Sequence, residues 1–201
     1  VDLDYWQEEV PKAIAQTSEG VTRIDTIVRA MKEVAHPGSD EKACVDINKA
    51  IESTVTVARN EWKYIADLTT DLAPDLPLVP CLLGQFNQVI LNMIVNATHA
   101  IADVVKRTGA RGTISIATRS VDGWAEVRIT DSGTGIPEEI RRKVFDPFFT
   151  TKEVGKGTGQ GLAIAHSVIV HKHHGTIAIE SEVGQGATFI VRLPLDLQPT
   201  T

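Results

Sequence analysis

The sequence predicts an α+β protein: a two-layer α/β sandwich with an N-terminal amphipathic helical segment. Three observations carry this. Residues 113–120 and 124–130 alternate apolar and polar side chains on either side of Asp122-Gly123, the pattern of a β-hairpin, and 176–181 with 188–193 repeat it through Gly184 and Gly186. The stretch Gln88–His99, QVILNMIVNATH, is apolar at Val89, Ile90, Leu91, Met93, Ile94, Val95 and Ala97, as a buried helix would be. Beyond Pro11, Ile14, Thr17, Val21, Ile24, Val28, Met31 and Ala35 step along one helical face at intervals of three and four.

The chain has 201 residues with 42% hydrophobic and 23% charged side chains, enough for one good core and an appendage. A formal charge of −6 argues against non-specific nucleic-acid binding and against docking on an anionic membrane surface. Cys44 and Cys81 lack ligand-like spacing, and they read as small core hydrophobes of a reducing, cytoplasmic compartment. No apolar run reaches the length needed to cross a bilayer, and no signal pattern opens the chain. The chain begins at Val1, without Met and directly on an amphipathic pattern, which suggests a piece of a longer polypeptide whose upstream part could carry a membrane anchor.

In chain order, residues 3–35 read as helix, with Pro11 at a kink or first turn. A long amphipathic helix with few aromatics needs a second helix or a second subunit. HPGSDEK then breaks the pattern, placing a boundary near 36–42 between a helical segment (1–40) and a second domain (41–201). His36 ends its helix before Pro37-Gly38 with no acidic neighbour to orient its ring, so it reads as a C-terminal helix histidine and not as a phosphoacceptor. After the boundary come a short strand at CVDI, a helix capped by Asp46 or Asn48 and running to about Asn60, and a strand around 64–71. A proline-rich loop (Pro74, Pro77, Pro80) precedes a helix over 85–106 that ends near Gly109. The first hairpin follows, then one helix over about 161–173, then the second hairpin.

Four segments carry the chemistry. The buried helix has one polar stripe, Gln88, Asn92 and Asn96, stacked on a single face. Unpaired buried amides cost on the order of 1–3 kcal/mol each, so something must satisfy them: Mg²⁺ between protein and phosphate oxygens, or neighbouring backbone and water. Asp131-Ser-Gly-Thr-Gly-Ile-Pro137 follows a strand; Gly133 and Gly135 would let backbone approach a flat ligand while the Asp131 carboxylate accepts from an exocyclic amine. Phe145-Asp-Pro-Phe-Phe-Thr-Thr-Lys152 joins three aromatics to a hydroxylic, cationic end. Gly155-Lys-Gly-Thr-Gly-Gln-Gly161 opens a helix and offers backbone N–H groups to phosphate. That loop is neither a Walker sequence nor a dinucleotide fingerprint.

In this order and spacing the four segments resemble the N box, first glycine box, F box and second glycine box of the sensor histidine kinases. These belong to the GHKL superfamily with gyrase, MutL and the ninety-kilodalton heat-shock chaperones. The resemblance covers about residues 43–195, including Gly184-Gln-Gly186-Ala-Thr188-Phe189 and Leu193-Pro194. It implies a Bergerat-type ATP-binding fold, with the N-terminal helix as the second helix of a dimerisation and phosphotransfer hairpin.

The resemblance also implies residue roles. Asn92 and Asn96 would be the catalytic, metal-holding residues, keeping Mg²⁺ between the ATP phosphates, and His99 stands where relatives carry a phosphate-reaching basic residue. Asp131 would bond the adenine amine, with Gly133, Gly135 and Ile136 shaping the base pocket and Thr188 helping through water. Lys152 through Thr158 would form a lid, with Lys152 or Lys156 near the γ-phosphate; Gly157, Gly159, Gln160, Gly161 and Leu162 would lie at the phosphates.

Gyrase-like ATPases carry a Glu where Asn92 stands, and an amide cannot act as a general base, so phosphoryl transfer is favoured over hydrolysis. The family's acceptor segment, a histidine followed by an acidic residue, is absent from this sequence. The implied function is that of a histidine kinase catalytic region. It would transfer the γ-phosphoryl to a histidine outside this sequence, then on to a response-regulator aspartate, in a protein that dimerises through its hairpin. The rivals are a GHKL-type ATPase and a non-catalytic, anti-sigma-like nucleotide-binding module.

Overall fold

Where the sequence alternates, the chain pairs. The computed structural model describes Val10 and residues 42–151 and 157–196. Nearly all of these belong to one compact unit, Lys42–Thr201. The expected helix over 3–35, its boundary at 36–42, His36, Lys152 and Lys156 lie outside the described residues.

A small antiparallel sheet joins β1 (Ala43–Val45) to β3 (Val79–Cys81). The sequence hides β3 because Pro80 sits inside it, a residue that only an edge or short pairing tolerates. Of the two cysteines, Cys81 is buried as expected, but Cys44 is exposed: β1 has no second face to bury it. Helix α1 (Ile47–Val57) starts at Asp46, whose Oδ1 accepts from Asn48 N at 3.1 Å and Lys49 N at 3.2 Å. It buries Ile47, Ala50, Ile51 and Thr54, one stripe at helical spacing. A single turn, α2 (Arg59–Trp62), leads to β2 (Ala66–Leu72).

Helix α3 (Leu83–Thr108) is the centre of the molecule and extends two residues beyond the predicted span at each end. Gly109, at φ 71°, closes it with an N–H bond to the Val105 carbonyl. By length and composition α3 could cross a membrane, although amides interrupt its apolar run. Its stripe of Phe86, Val89, Ile90, Met93, Ile94, Ala97 and Ile101 is instead buried in the protein core.

Strands β4 (Gly112–Val121) and β5 (Trp124–Asp131) form the first hairpin. Asp122 and Gly123, at φ 49° and 81°, make the double left-handed turn that strand twist favours. Helix α4 (Gly161–His166) follows the glycine loop and continues as a π-helical turn, Ser167–Lys172. Thus the single helix expected over 161–173 widens halfway, and His173 N–H reaches back five residues to Val168 O at 3.1 Å. Strands β6 (Thr176–Glu182) and β7 (Gly186–Pro194) complete a five-stranded sheet in the order β2-β4-β5-β7-β6. Only β2 and β4 pair in parallel, with α3 in the crossover between them.

The sheet's inner face, with Ile114, Ile116, Val127, Ile129, Phe189 and Val191, packs against the helices. The outer face carries ion pairs: Arg128–Glu180 at 2.6 Å, Arg192–Glu126 at 2.7 Å, and Arg119–Asp71. The exposed pairs Arg128–Glu180 and Arg119–Asp71 contribute about 0–1 kcal/mol each, whereas Glu126 is buried and its carboxylate is held by Arg192 and Arg128.

Candidate nucleotide site

Asp131 ends β5 with its side chain on the inner face, under α3, and is 4% exposed. Its Oδ1 accepts from Gly133 N at 2.8 Å, and the Ala187 backbone N–H also donates to the carboxylate. Burial outweighs both donors and pushes the carboxyl up to about 6. A carboxylate held dry by two N–H groups suits a neutral donor such as an exocyclic amine.

The glycines around it have a packing role. A Cβ on Gly133 would run into Ala100 of α3 and the Asp131 carboxylate. Gly135 sits at φ 71°, where a Cβ would overlap the Glu182 carbonyl. These glycines therefore let neighbouring parts of the protein pack closely. Ile136, half-buried against the core, donates its N–H to Ser181 Oγ at 2.8 Å; that hydroxyl donates to Gly186 O at 2.7 Å. Gly184 N donates to Thr134 O at 2.8 Å, and Arg141 bonds the carbonyls of Ser181 and Ile136. The loop beneath the base pocket is thereby stitched to the β6–β7 hairpin.

Thr188 does not join this group. Strand side chains alternate, and the residue paired with Asp131 is Ala187. Thr188 pairs with Thr130 on the outer face, their hydroxyls 2.9 Å apart; with Glu180 and Gln185 they line an open depression of about 350 Å³. The sequence expectation was one residue out of register, which in a strand means the opposite face.

At the other end, the amide stripe meets the start of α4. Gln88 Nε2 donates to Asn92 Oδ1 at 2.8 Å, and Asn92 Nδ2 donates to the Gly161 carbonyl at 3.1 Å. Backbone thus satisfies part of the stripe. The expectation treated both asparagines alike, but here the Asn92 oxygen is engaged by Gln88. Asn96, half-buried one turn on, makes no side-chain hydrogen bond among the described residues. His99, nearly one further turn along, is exposed. Gly161 stands against Asn92, so an added Cβ would lie 3.6 Å from the Asn92 carboxamide carbon.

Gly157, Thr158, Gly159, Gln160 and Leu162 are all half-buried beside this junction. Gly159, at φ 64°, accepts at its carbonyl from Phe148 N at 3.0 Å, and Thr158 Oγ1 accepts from Gln160 N at 3.4 Å. Phe148 takes φ 66°, an uncommon conformation for an aromatic residue, and is 72% exposed. The F-box aromatic is therefore tied to the glycine loop by backbone and does not belong to the core.

Among the described residues no group of three His, Cys, Asp or Glu side chains could hold a metal. The available donor is the Asn96 amide oxygen, a hard ligand suited to Mg²⁺ that also binds phosphate oxygens. The residues present therefore fit a magnesium-chelated nucleotide. Sequence reasoning missed Ala187, Ser181 and Arg141. Counting the register of the second hairpin from Gly184-Gln185 would have found Ala187; nothing in the sequence marks the other two.

Comparison with known proteins agrees. Residues 83–197 match the family model of the histidine kinase-, DNA gyrase B-, and HSP90-like ATPases. The sensor kinase CckA of Brucella abortus is 38% identical over 197 residues, covering 90% of this chain and 20% of its own length. The sensor histidine kinase ZraS of Klebsiella oxytoca is 35% identical over 178 residues, 88% of this chain and 36% of its own. The chain thus spans about a fifth to two-fifths of the length of the curated relatives it matches. Among solved structures, the catalytic domain of histidine kinase ThkA superposes with a TM-score of 0.65 at 30% identity, over 77% of this chain and 96% of that one. ThkA in complex with the response regulator TrrA gives 0.70 at 26% identity, over 94% and 52%. With more than half its length under that family model and the same two-layer architecture, the chain belongs to the histidine kinase-, DNA gyrase B-, and HSP90-like ATPases, on the side of the sensor histidine kinase catalytic domains.

Proposed function

We propose that this chain is the ATP-binding and catalytic region of a sensor histidine kinase. On this reading it transfers the γ-phosphoryl of MgATP to a histidine on a helix outside this sequence. The observation that carries the proposal is the junction of Asn92 with Gly161, which brings the amide stripe of α3 to the opening of α4.

Asp131 accepts the adenine amine while Ile136 lines the base. Asn96 supplies an amide oxygen to Mg²⁺, and Asn92, held by Gln88, keeps the Gly161 end of the loop against α3. Backbone N–H groups of 157–161 meet phosphate oxygens, with Lys152 and Lys156 as lid cations. Bound Mg²⁺ supplies neutralisation of the phosphate charge. Asn92 stands where hydrolytic relatives carry a general base, so the site orients a phosphoryl group without activating water, and catalysis is by positioning and charge neutralisation.

The partner of this reading is a response-regulator receiver domain whose aspartate takes the phosphoryl group, as the ThkA–TrrA pair suggests. The intact protein would dimerise through a helical hairpin whose second helix residues 1–40 would supply. This region would work in the cytoplasm, with any membrane anchor upstream. The test is a longer chain that includes the preceding helix, incubated with γ-labelled ATP. An acid-labile, base-stable label on a histidine supports the reading; steady ATP hydrolysis with no protein label contradicts it.

A further inference from the structure

His173 is 1% exposed and joins two elements far apart in sequence. Its Nε2 accepts from the backbone N–H of Leu82, the N-cap of α3, at 2.9 Å. Its Nδ1 lies 2.8 Å from the Val168 carbonyl, in the π turn that continues α4. One tautomer satisfies both partners: the neutral ring with its proton on Nδ1. The ring thus satisfies the N-cap residue's own backbone N–H, one of the four donors that a helix start leaves unpaired.

Asn92–Gly161 ties α3 to the front of the α4 segment, and Leu82–His173 ties α3 to its rear. Ten residues separate Leu82 from Asn92, about 15 Å of helix. Ala165, Val168 and Ile169 of the α4 segment also join the apolar core that α3 enters; such packing is non-directional and tolerates sliding, whereas hydrogen bonds do not. We propose that His173 is a positioning residue: the Leu82–His173–Val168 link sets the register of α4 along α3, and so places the 157–161 loop against the amide stripe at Asn92. Resting on the MgATP reading above, this gives that site a determinant remote from the phosphates. Asp131 and the loop after it are held by the β6–β7 hairpin and make no hydrogen bond to His173.

The test is calorimetry on the whole chain with two probes, MgATP and adenosine, for wild type, His173→Gln and His173→Phe. Glutamine can still accept and donate; phenylalanine can do neither. His173→Phe should weaken MgATP about tenfold, since a small misplacement costs one to two orders of magnitude, while adenosine binding stays within about twofold. His173→Gln should recover most of the loss. Unchanged MgATP affinity in His173→Phe, or an equal loss for both probes, overturns the proposal. If His173→Phe does not fold, His173→Asn replaces it: too short to span both partners, it should lose MgATP selectively, and behaviour equal to His173→Gln overturns the link. Wild type that fails to bind MgATP overturns the nucleotide reading and this link together. Wild type that binds, with indifferent variants, overturns the link alone.

Discussion

Asn92 Nδ2 and the Gly161 carbonyl lie 3.1 Å apart, so the helix with the candidate metal amide is bonded to the first residue of the helix behind the glycine loop. The two asparagines should therefore differ on substitution. Asn96→Ala should abolish the Mg²⁺-dependent part of ATP binding and leave thermal stability unchanged. Asn92→Ala should weaken nucleotide binding and also cost about 1 kcal/mol of stability for the lost bond. Calorimetry with and without Mg²⁺, beside thermal melts, separates the two.

Asp131 should read the base. Asp131→Ala should erase the preference for ATP over GTP while fold and Mg²⁺ response persist; unchanged preference would contradict the assignment. Because the amine donates to the ionised form, adenosine affinity in the wild type should fall as pH drops through about 6.

The same carboxyl makes a stability prediction with a definite sign. Its folded value is raised from 3.8 to about 6, so the folded state holds the proton more tightly than the unfolded chain. That contribution is full below about 4 and lost as pH rises through about 6. Against Asp131→Asn, which does not titrate, wild type should lose roughly 3 kcal/mol of relative stability between pH 4 and 7, as an upper bound. Denaturant melts at both pH values check this.

His173 acts in the opposite direction. Burial lowers its folded value below 6.5, beyond what its bond to Val168 restores. Stability that depends on the neutral ring is complete above 6.5 and is lost as pH falls below it toward the folded value. His173→Gln should melt with less loss between pH 7 and 5 than wild type does.

Two turn glycines should respond unequally. Gly186, at φ 92°, has no room for a Cβ, which would overlap the Asp131 carbonyl; Gly184, at φ 83°, has open space around it. Gly184→Ala should cost roughly 1–2 kcal/mol for the left-handed backbone alone. Gly186→Ala should cost on the order of 3–5 kcal/mol, since strain and overlap add. Melting temperatures rank them.

The legible parts of this protein were those written in short-range patterns. Asp122-Gly123 and the alternation of β4 and β5 placed the first hairpin within one residue, and Asp46 placed the start of α1, whose end at Val57 falls three residues short of the expected Asn60. The α3 stripe placed Asn92 and Asn96 together. What stayed hidden depended on pairing between distant segments. Pro80 disguised β3 because its tolerance comes from its sheet position. A one-residue slip put Thr188 on the wrong face. The bond that occupies the Asn92 oxygen comes from the same stripe, but its partner across the fold, Gly161, is 69 residues away. Ser181 and His173 carry no local mark, because their importance lies in the backbone groups they reach.

The central claim is that α3 and the two glycine loops form one magnesium–nucleotide site. Calorimetric titration of MgATP into wild type and Asn96→Ala tests it most directly. A single site in wild type that weakens sharply without Mg²⁺, and no metal-dependent binding in Asn96→Ala, is the expected result. Equal heats from both proteins, or no heat from wild type in several buffers, would contradict it.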